Sequence, residues 1–405
     1  MRFGKAVALL FAGMLCATMV ATAAEAQINK DTIKIGVLTD MSSLYADLAG
    51  PGAVAAVQMA VADFGGKLDG KKIEVLSADH QNKPDIAAAI ARKWFDQGVD
   101  MITDLTTSST ALAVQEVARQ KHRIIIVNGA ASSDLTGSHC SPYGIHWTYD
   151  TTALANGTGA AVVKAGGKTW FFITADYAFG HALERDTAAV VKENGGKVLG
   201  HALVPLNTAD FSSYLLQAQA SKAQIIGLAN AGGDTINSIK QAAEFGIVKG
   251  GQKLAGLLIF LSDVHSLGLQ TAQGLQLTAA FYWDQNDQTR AWSKKFFAKM
   301  HKEPTMVQAG DYSATMAWLN AVKAVNSLDA DKVMKQLRSH PINDFMTKNG
   351  HLEPSGSLVR DMYLFEVKKP SESKGEWDLY KLIRTIPAQV AYKLPHGNQC
   401  KLAAK

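Results

Sequence analysis

The residues best suited to chemistry in this chain are hydroxyls. Thr106-Thr107-Ser108-Ser109-Thr110 follows Asp104-Leu105, after a short apolar segment from Val99 to Thr103 and before a helix-patterned segment reaching about Gln120. A loop that passes from a strand into a helix presents backbone N–H groups lacking intrahelical partners at the positive end of the helix dipole, so it can seat an anion such as a carboxylate. The run adds donors and acceptors without adding charge. The competing role for Ser108 or Ser109 is a helix N-cap.

Other catalytic patterns are missing. No Gly-x-Ser-x-Gly elbow occurs, and His80, His122, His139, His146, His181, His201 and His265 are scattered without metal-ligand spacing. Gly166-Gly167-Lys168-Thr169 imitates the end of a phosphate-binding loop, but Val162 stands where the leading glycine belongs and the segment precedes a strand. It reads as a helix C-cap and turn. No metal, cofactor or enzymatic activity is expected.

The elements that must hold the hydroxyl run form a regular series. Ile33–Leu38 is strand-like, Pro51–Phe64 helical with proline in its first turn, Ile73–Leu76 strand, Asp85–Asp96 helix, Met101-Ile102 strand, Thr110–Gln120 helix and Ile124–Val127 strand. The rhythm restarts with Thr151–Lys164 helical, Trp170–Ile173 strand, Ala182–Lys192 helix, Val198–Val204 strand, Phe211–Ala220 helix, Gln224–Leu228 strand and Asp234–Phe245 helix. Leu254–Leu261 and Leu275–Phe281 complete it as strands. Such alternation predicts an α/β fold of two doubly wound parallel-sheet lobes. Asp287–Met300 and Tyr312–Asn326 are helical without a new sheet, so they return to the first lobe; Tyr363–Val367 and Trp377–Tyr380 form a terminal hairpin. The expected division is residues 28–147 plus 284–348 for lobe 1, 148–283 plus 349–392 for lobe 2, and a tail at 393–405.

At 405 residues, with 47% apolar and 19% charged side chains, the chain is an ordinary globular protein long enough for two domains. Its first 26 residues differ. Arg2 and Lys5 precede the uncharged apolar segment Ala6–Val20, and Ala24-Glu25-Ala26 offers small residues to a signal peptidase, which predicts export to the periplasm with Gln27 first in the mature chain. Gly13-Met14-Leu15 before Cys16 does not fit a lipid-attachment site, so no lipid anchor is expected. Cleavage removes two basic residues and one acidic one, lowering the formal charge from +5 to +4. That charge is dispersed, with no basic cluster interleaved by aromatics, so nucleic acid is not an expected partner. The remaining Cys140 and Cys400 are a disulfide candidate in an oxidising compartment, the alternative being two separate thiols.

Ligands of open parallel sheets bind at the carboxyl ends of strands. Here those ends are Asp40–Asp47, Asp79–Lys83, Thr106–Thr110, Asn128–Asp134, Asp176–Gly180, Asn230–Asp234 and Ser262–His265, which are rich in Ser, Thr, Asn, Gly and Tyr. Tyr45-Ala46-Asp47, Leu105–Thr110, Gly129-Ala130-Ala131-Ser132 and Asp176-Tyr177-Ala178-Phe179-Gly180 resemble, in order and interval across the mature chain, the leucine/isoleucine/valine-binding family of periplasmic solute-binding proteins of ABC transporters. The resemblance implies a type I fold with three hinge crossings, a monomer that clasps a small carboxylate between its lobes, and delivery to a membrane permease. A sensor subunit signalling to a membrane receptor is a second possibility, and an exported enzyme a third.

By resemblance, Thr107 faces the ligand carboxylate, with Ser108 beside it. Ala130 and Ser132 offer backbone and hydroxyl groups to the amino and carboxylate groups, and Tyr45 and Tyr177 form aromatic walls. Asn230 lies in a loop where the branched-chain binders offer an aromatic, and Asp263 near an acidic residue that pairs with the ligand ammonium. Asn230 could instead only end a strand, and Asp263 could cap a helix. Ala231-Gly232-Gly233 lack bulk and Tyr282-Trp283 add aromatic surface near a hinge, so a roomier cleft suited to an aromatic acid is expected, as in the aromatic-acid-binding subgroup. For Trp283 the alternative is simple packing.

Overall fold

The computed structural model describes residues 28, 30–395, 397 and 399–402. The expected signal peptide lies outside them. Strand β1 (Thr32–Thr39) runs parallel to β3 (Lys71–Asp79) on one side and β4 (Met101–Asp104) on the other, with β2 (Lys67–Leu68), β5 (Ile124–Val127) and β6 (Gly144–His146) completing the order β2-β3-β1-β4-β5-β6. The sequence Ile-Ile-Ile-Val of β5 is wholly buried, as a parallel strand covered on both faces requires. A second sheet orders β7 (Thr169–Ala175), β8 (Lys197–Val204), β9 (Ile225–Ala229) and β10 (Lys253–Gly256) as β10-β9-β7-β8, all parallel. Winding direction reverses between β1 and β4 in the first sheet and between β7 and β9 in the second. Both reversals open crevices at strand carboxyl ends.

Three expectations need correction. The segment after Gly274 does not extend the parallel array. Strand β11 (Gln276–Ala279) pairs antiparallel with β14 (Met362–Val367), itself antiparallel to β15 (Tyr380–Ile386), while β12 (His351–Leu352) and β13 (Leu358–Val359) form a small hairpin. A parallel partner needs a crossover connection, whereas β14 arrives from the helices of the first lobe and enters running the opposite way. The terminal hairpin strand begins at Tyr380, not Trp377. Leu254–Leu261, moreover, is not one strand. It stops at Gly256, where the chain doubles back so tightly that a Cβ would lie 2.1 Å from Ile259 Cδ1, and a helix starts at Leu261.

Helix Met306–Val325 packs on helix Gly50–Phe64; its cap Thr305 donates to Leu48 O at 2.6 Å and Gln308 to Ala49 O at 3.2 Å. Arg360, fully buried, gives Nη2 to the carbonyls of Ala280 and Met346, tying the end of β11 to the loop before β12.

Candidate functional site

The turn from β4 into helix Ser108–Lys121 is strained. Asp104 and Leu105 have φ of +76° and +54°, values that cost a side-chain-bearing residue on the order of 1 kcal/mol or more each. Neighbouring strands hold them there: Leu105 N donates to Leu38 O, Asn128 and Gly129 N to Asp104 O, and Ala130 N to Leu105 O, all at 3.0 to 3.1 Å. The effect is to aim Thr106 to Ser108 out of the sheet at the crevice between β1 and β4.

Hydrogen bonding then separates the hydroxyls. Thr106 donates to Asp104 Oδ2 at 3.0 Å and accepts from Asp40 N at 3.1 Å, so the hydrogen of its 3.0 Å contact with Thr39 comes from Thr39. Thr110 donates to Thr107 O at 2.7 Å, which leaves Thr107 donating back to Thr110 Oγ1 at 2.8 Å. Both threonine protons are occupied inside the loop. Ser108 Oγ instead accepts from Ala131 N at 3.3 Å and Ser132 N at 3.1 Å. A hydroxyl accepting two bonds has its own proton for a third partner, and Ser108 lines the interlobe pocket.

The lobes close down on that pocket and leave only about 10 Å³ of free cavity. Tyr45, Leu48, Thr106, Ser108, Gly129 and Ala131 form its first-lobe side, Tyr177, Phe179, Ala231, Leu258 and Phe260 its second-lobe side, and Tyr149 stands at the crossing. Tyr45 Oη and Tyr177 Oη meet at 2.9 Å across the lobes. Burial holds both phenols above the usual tyrosine range, so they are neutral hydrogen-bonding groups. Tyr149 donates to Gly129 O at 2.7 Å and sets its ring edge-on to Phe260, centroids 6.1 Å apart. A larger hollow of about 440 Å³, which Asp134, Arg185, Glu353 and Leu394 help to line, lies against the tail.

Of the residues singled out from sequence, the structure therefore brings Tyr45, Ser108 and Tyr177 to one pocket. Thr107, Ala130 and Ser132 stand behind it: the Ala130 carbonyl accepts from His146 Nε2 at 2.8 Å, and the Ser132 hydroxyl pairs with Asp134 at 3.3 Å. Asn230 and Asp263 turn into the second lobe. Asn230 Oδ1 accepts from Thr235 at 2.7 Å, while Asp263, at the start of helix Leu261–Leu267, accepts from Phe260 N at 2.9 Å, the capping role. Asp263 is buried away from water, which pushes its carboxyl up to about 7. Trp283 donates to Trp377 O at 2.8 Å and takes the packing role.

The Gly232-Gly233 pair gives no extra room either. Gly232 has φ of +57°, and a Cβ there would lie 2.9 Å from both Leu44 O and Tyr45 Cδ1; one on Gly233 would lie 2.7 Å from Leu44 Cδ1. The missing bulk is a landing for the Tyr45 loop. The local sequence pattern marks Tyr177 but not its neighbour Phe179, nor Tyr149, Leu258 and Phe260, as pocket walls. Ending the strand at Gly256 would have moved the strand-end loop back onto Leu258 and Phe260.

Beneath the hydroxyl loop, Asp104 and Asp311 are fully buried, and Asp104 Oδ1 and Asp311 Oδ2 have no hydrogen-bond partner among the described residues. Asp311 Oδ1 accepts from Asn128 at 2.8 Å and Thr103 at 3.3 Å. Burial, reinforced by the Asp40 carboxylate and opposed by the Thr39 and Thr106 hydroxyls, pushes Asp104 up to about 7, and burial with the Asp104 charge raises Asp311. A carboxyl raised in the folded state favours folding while protonated, an advantage complete below its unfolded value near 4 and lost as pH rises through about 7. Asp104→Asn is accordingly expected to be less stable relative to the parent at pH 5 than at pH 8. Urea unfolding at the two pH values measures this, and a pH-independent difference would place the proton elsewhere.

Two α/β sheets with switch-point crevices closing on one aromatic pocket define a two-lobed ligand-binding protein. Comparison with known proteins agrees: residues 32–376 match the periplasmic binding protein family, and the chain belongs to it. A periplasmic binding protein of Burkholderia mallei is 57% identical with a TM-score of 0.90, over 92% of this chain and 99% of that one. A branched chain amino acid ABC transporter periplasmic ligand-binding protein of Burkholderia xenovorans is 43% identical, TM-score 0.82, over 92% and 100%. A solute-binding protein of an ABC transporter from Rhodopseudomonas palustris, solved with p-hydroxybenzoic acid, shares the fold at 23% identity and TM-score 0.80, over 90% and 99%. The chain is thus a ligand-binding protein of the ABC-transporter type, with no enzyme among these relatives.

Proposed function

We propose that this protein captures a small aromatic carboxylate between its lobes and delivers it to an ABC permease in the periplasm. The observation carrying this reading is the composition of the pocket. Tyr45, Tyr149, Tyr177, Phe179 and Phe260 surround a space lined by no charged side chain, into which Ser108 can direct one proton. An aromatic acid matches both features, its ring on the aromatic walls and its carboxylate on the hydroxyl. An α-amino acid would bring an ammonium group whose expected partner, Asp263, caps a helix outside the pocket. Leaving that charge unpaired in a dry site is costly.

The second reading, a branched-chain amino acid, is favoured by the description of the B. xenovorans relative. Thermal-shift assays of the mature protein with benzoate, 4-hydroxybenzoate, leucine and phenylalanine separate the two. Benzoates are expected to raise the melting temperature by several degrees at ~100 times Kd, where mass action contributes about 2.7 kcal/mol. Stabilisation by leucine and not by either benzoate would establish the second reading.

A further inference from the structure

We propose that the C-terminal tail is a covalent strap between the lobes, whose length sets how far they open. Cys140 and Cys400 are disulfide-bonded across 260 positions of sequence. Cys140 belongs to the first lobe: it follows the Ser133–Leu135 turn, and Gln115 of helix Ser108–Lys121 donates to Leu135 O at 3.1 Å and His139 O at 2.7 Å. The tail leaves from the other lobe. Asn156 holds Ala391 O and Lys393 O at 2.9 and 2.8 Å, and Lys393 Nζ reaches Glu193 at 3.4 Å. Lys393 is thus anchored on one lobe and Cys400 bonded to the other, and Leu394, Pro395, Gly397 and Gln399 line the 440 Å³ hollow.

The strap is a connection in addition to the hinge segments, and unlike them it lies beside groups that part when the cleft opens. Ser133 donates to Asp186 at 2.7 Å, and Arg185 Nη1 lies 3.1 Å from Asp134 Oδ1, two contacts that bridge the lobes next to it. Seven residue steps allow at most about 25 Å between the Lys393 anchor and Cys400. The bond also joins the strap to the segment carrying Ser132, whose N–H engages Ser108. Opening beyond the strap's reach requires breaking the disulfide or pulling the tail off Asn156. Restricting the open ensemble leaves a larger fraction of the protein near the closed, binding-competent form.

The test needs no ligand. Spin labels at Lys121 and Lys192, one exposed position on each lobe, report interlobe distances by pulsed electron resonance in three preparations of the mature protein: oxidised, reduced, and oxidised with Gly-Ser-Gly-Ser inserted after Gly397. The insertion keeps the disulfide and adds about 13 Å of reach. Reduced and lengthened proteins are both expected to show distance distributions extended to longer values than the oxidised parent, with circular dichroism confirming that each is folded. Identical distributions in all three would overturn the strap. So would broadening on reduction alone, because the disulfide would then act through general stability and not through length.

Discussion

Gly232→Val is expected to disable lobe closure. The effect divides into two parts that different measurements separate. A β-branched side chain at φ of +57° is strained in any state of the protein, by about 1 to 2 kcal/mol, and this lowers the melting temperature of the ligand-free chain. The contact of the new Cβ with Leu44 O and the Tyr45 ring, 2.9 Å each, exists only when the second lobe meets the Tyr45 loop. Overpacking of that kind costs about 1 to 3 kcal/mol, so affinity for the best ligand should fall by about 5- to 150-fold beyond any loss of stability. Titration calorimetry of Gly232→Val beside the parent measures it. Unchanged affinity would mean that ligand binds without the Tyr45 loop seating on Gly232, and that the Tyr45 to Tyr177 contact is not part of the bound form.

Ser108→Ala is expected to have the other large effect. In the parent, Ser108 Oγ accepts from two main-chain N–H groups, so its proton is available to a carboxylate. A hydrogen bond to a charged group contributes about 1.5 to 3 kcal/mol, and its removal should weaken binding of the carboxylate by about 10- to 150-fold. An uncharged aromatic amide of the same shape should lose much less. The comparison of the two ligands isolates the charge-assisted bond from any disturbance of the loop. Tighter carboxylate binding to Ser108→Ala would carry a different meaning: the ligand would be taking the Ala131 and Ser132 N–H groups for itself, with the serine hydroxyl as a competitor.

These two positions show how unevenly the site could be read in advance. The run Thr106 to Thr110 was conspicuous, and its place after a strand suited either a ligand seat or a helix cap. Which hydroxyl keeps a proton for a further partner was not legible, because Thr107 and Ser108 are adjacent and equally polar. The choice follows from donor accounting across three segments: Thr110 engages Thr107, while Ala131 and Ser132 engage Ser108 from a loop more than twenty positions away. The glycines at 232 and 233 were equally visible, yet their absent side chains suggested open space. Only the approach of Leu44 and Tyr45 from the other lobe shows that the space is filled.

What the chain determined locally was periodicity, and periodicity alone gave the α/β class, the two successive sheets and the loops at strand ends. Those features depend on the order of apolar and polar residues within ten or fifteen positions, which a single sequence displays. Tertiary structure decided the antiparallel sheet joining β11 to the terminal hairpin, the burial of Asp104 against Asp311, the turning of Asn230 and Asp263 into their own lobe, and the meeting of Tyr45 with Tyr177. Each of these is a contact between segments distant in sequence, and the pocket's chemistry is set by which groups such contacts leave with a hydrogen bond still to make.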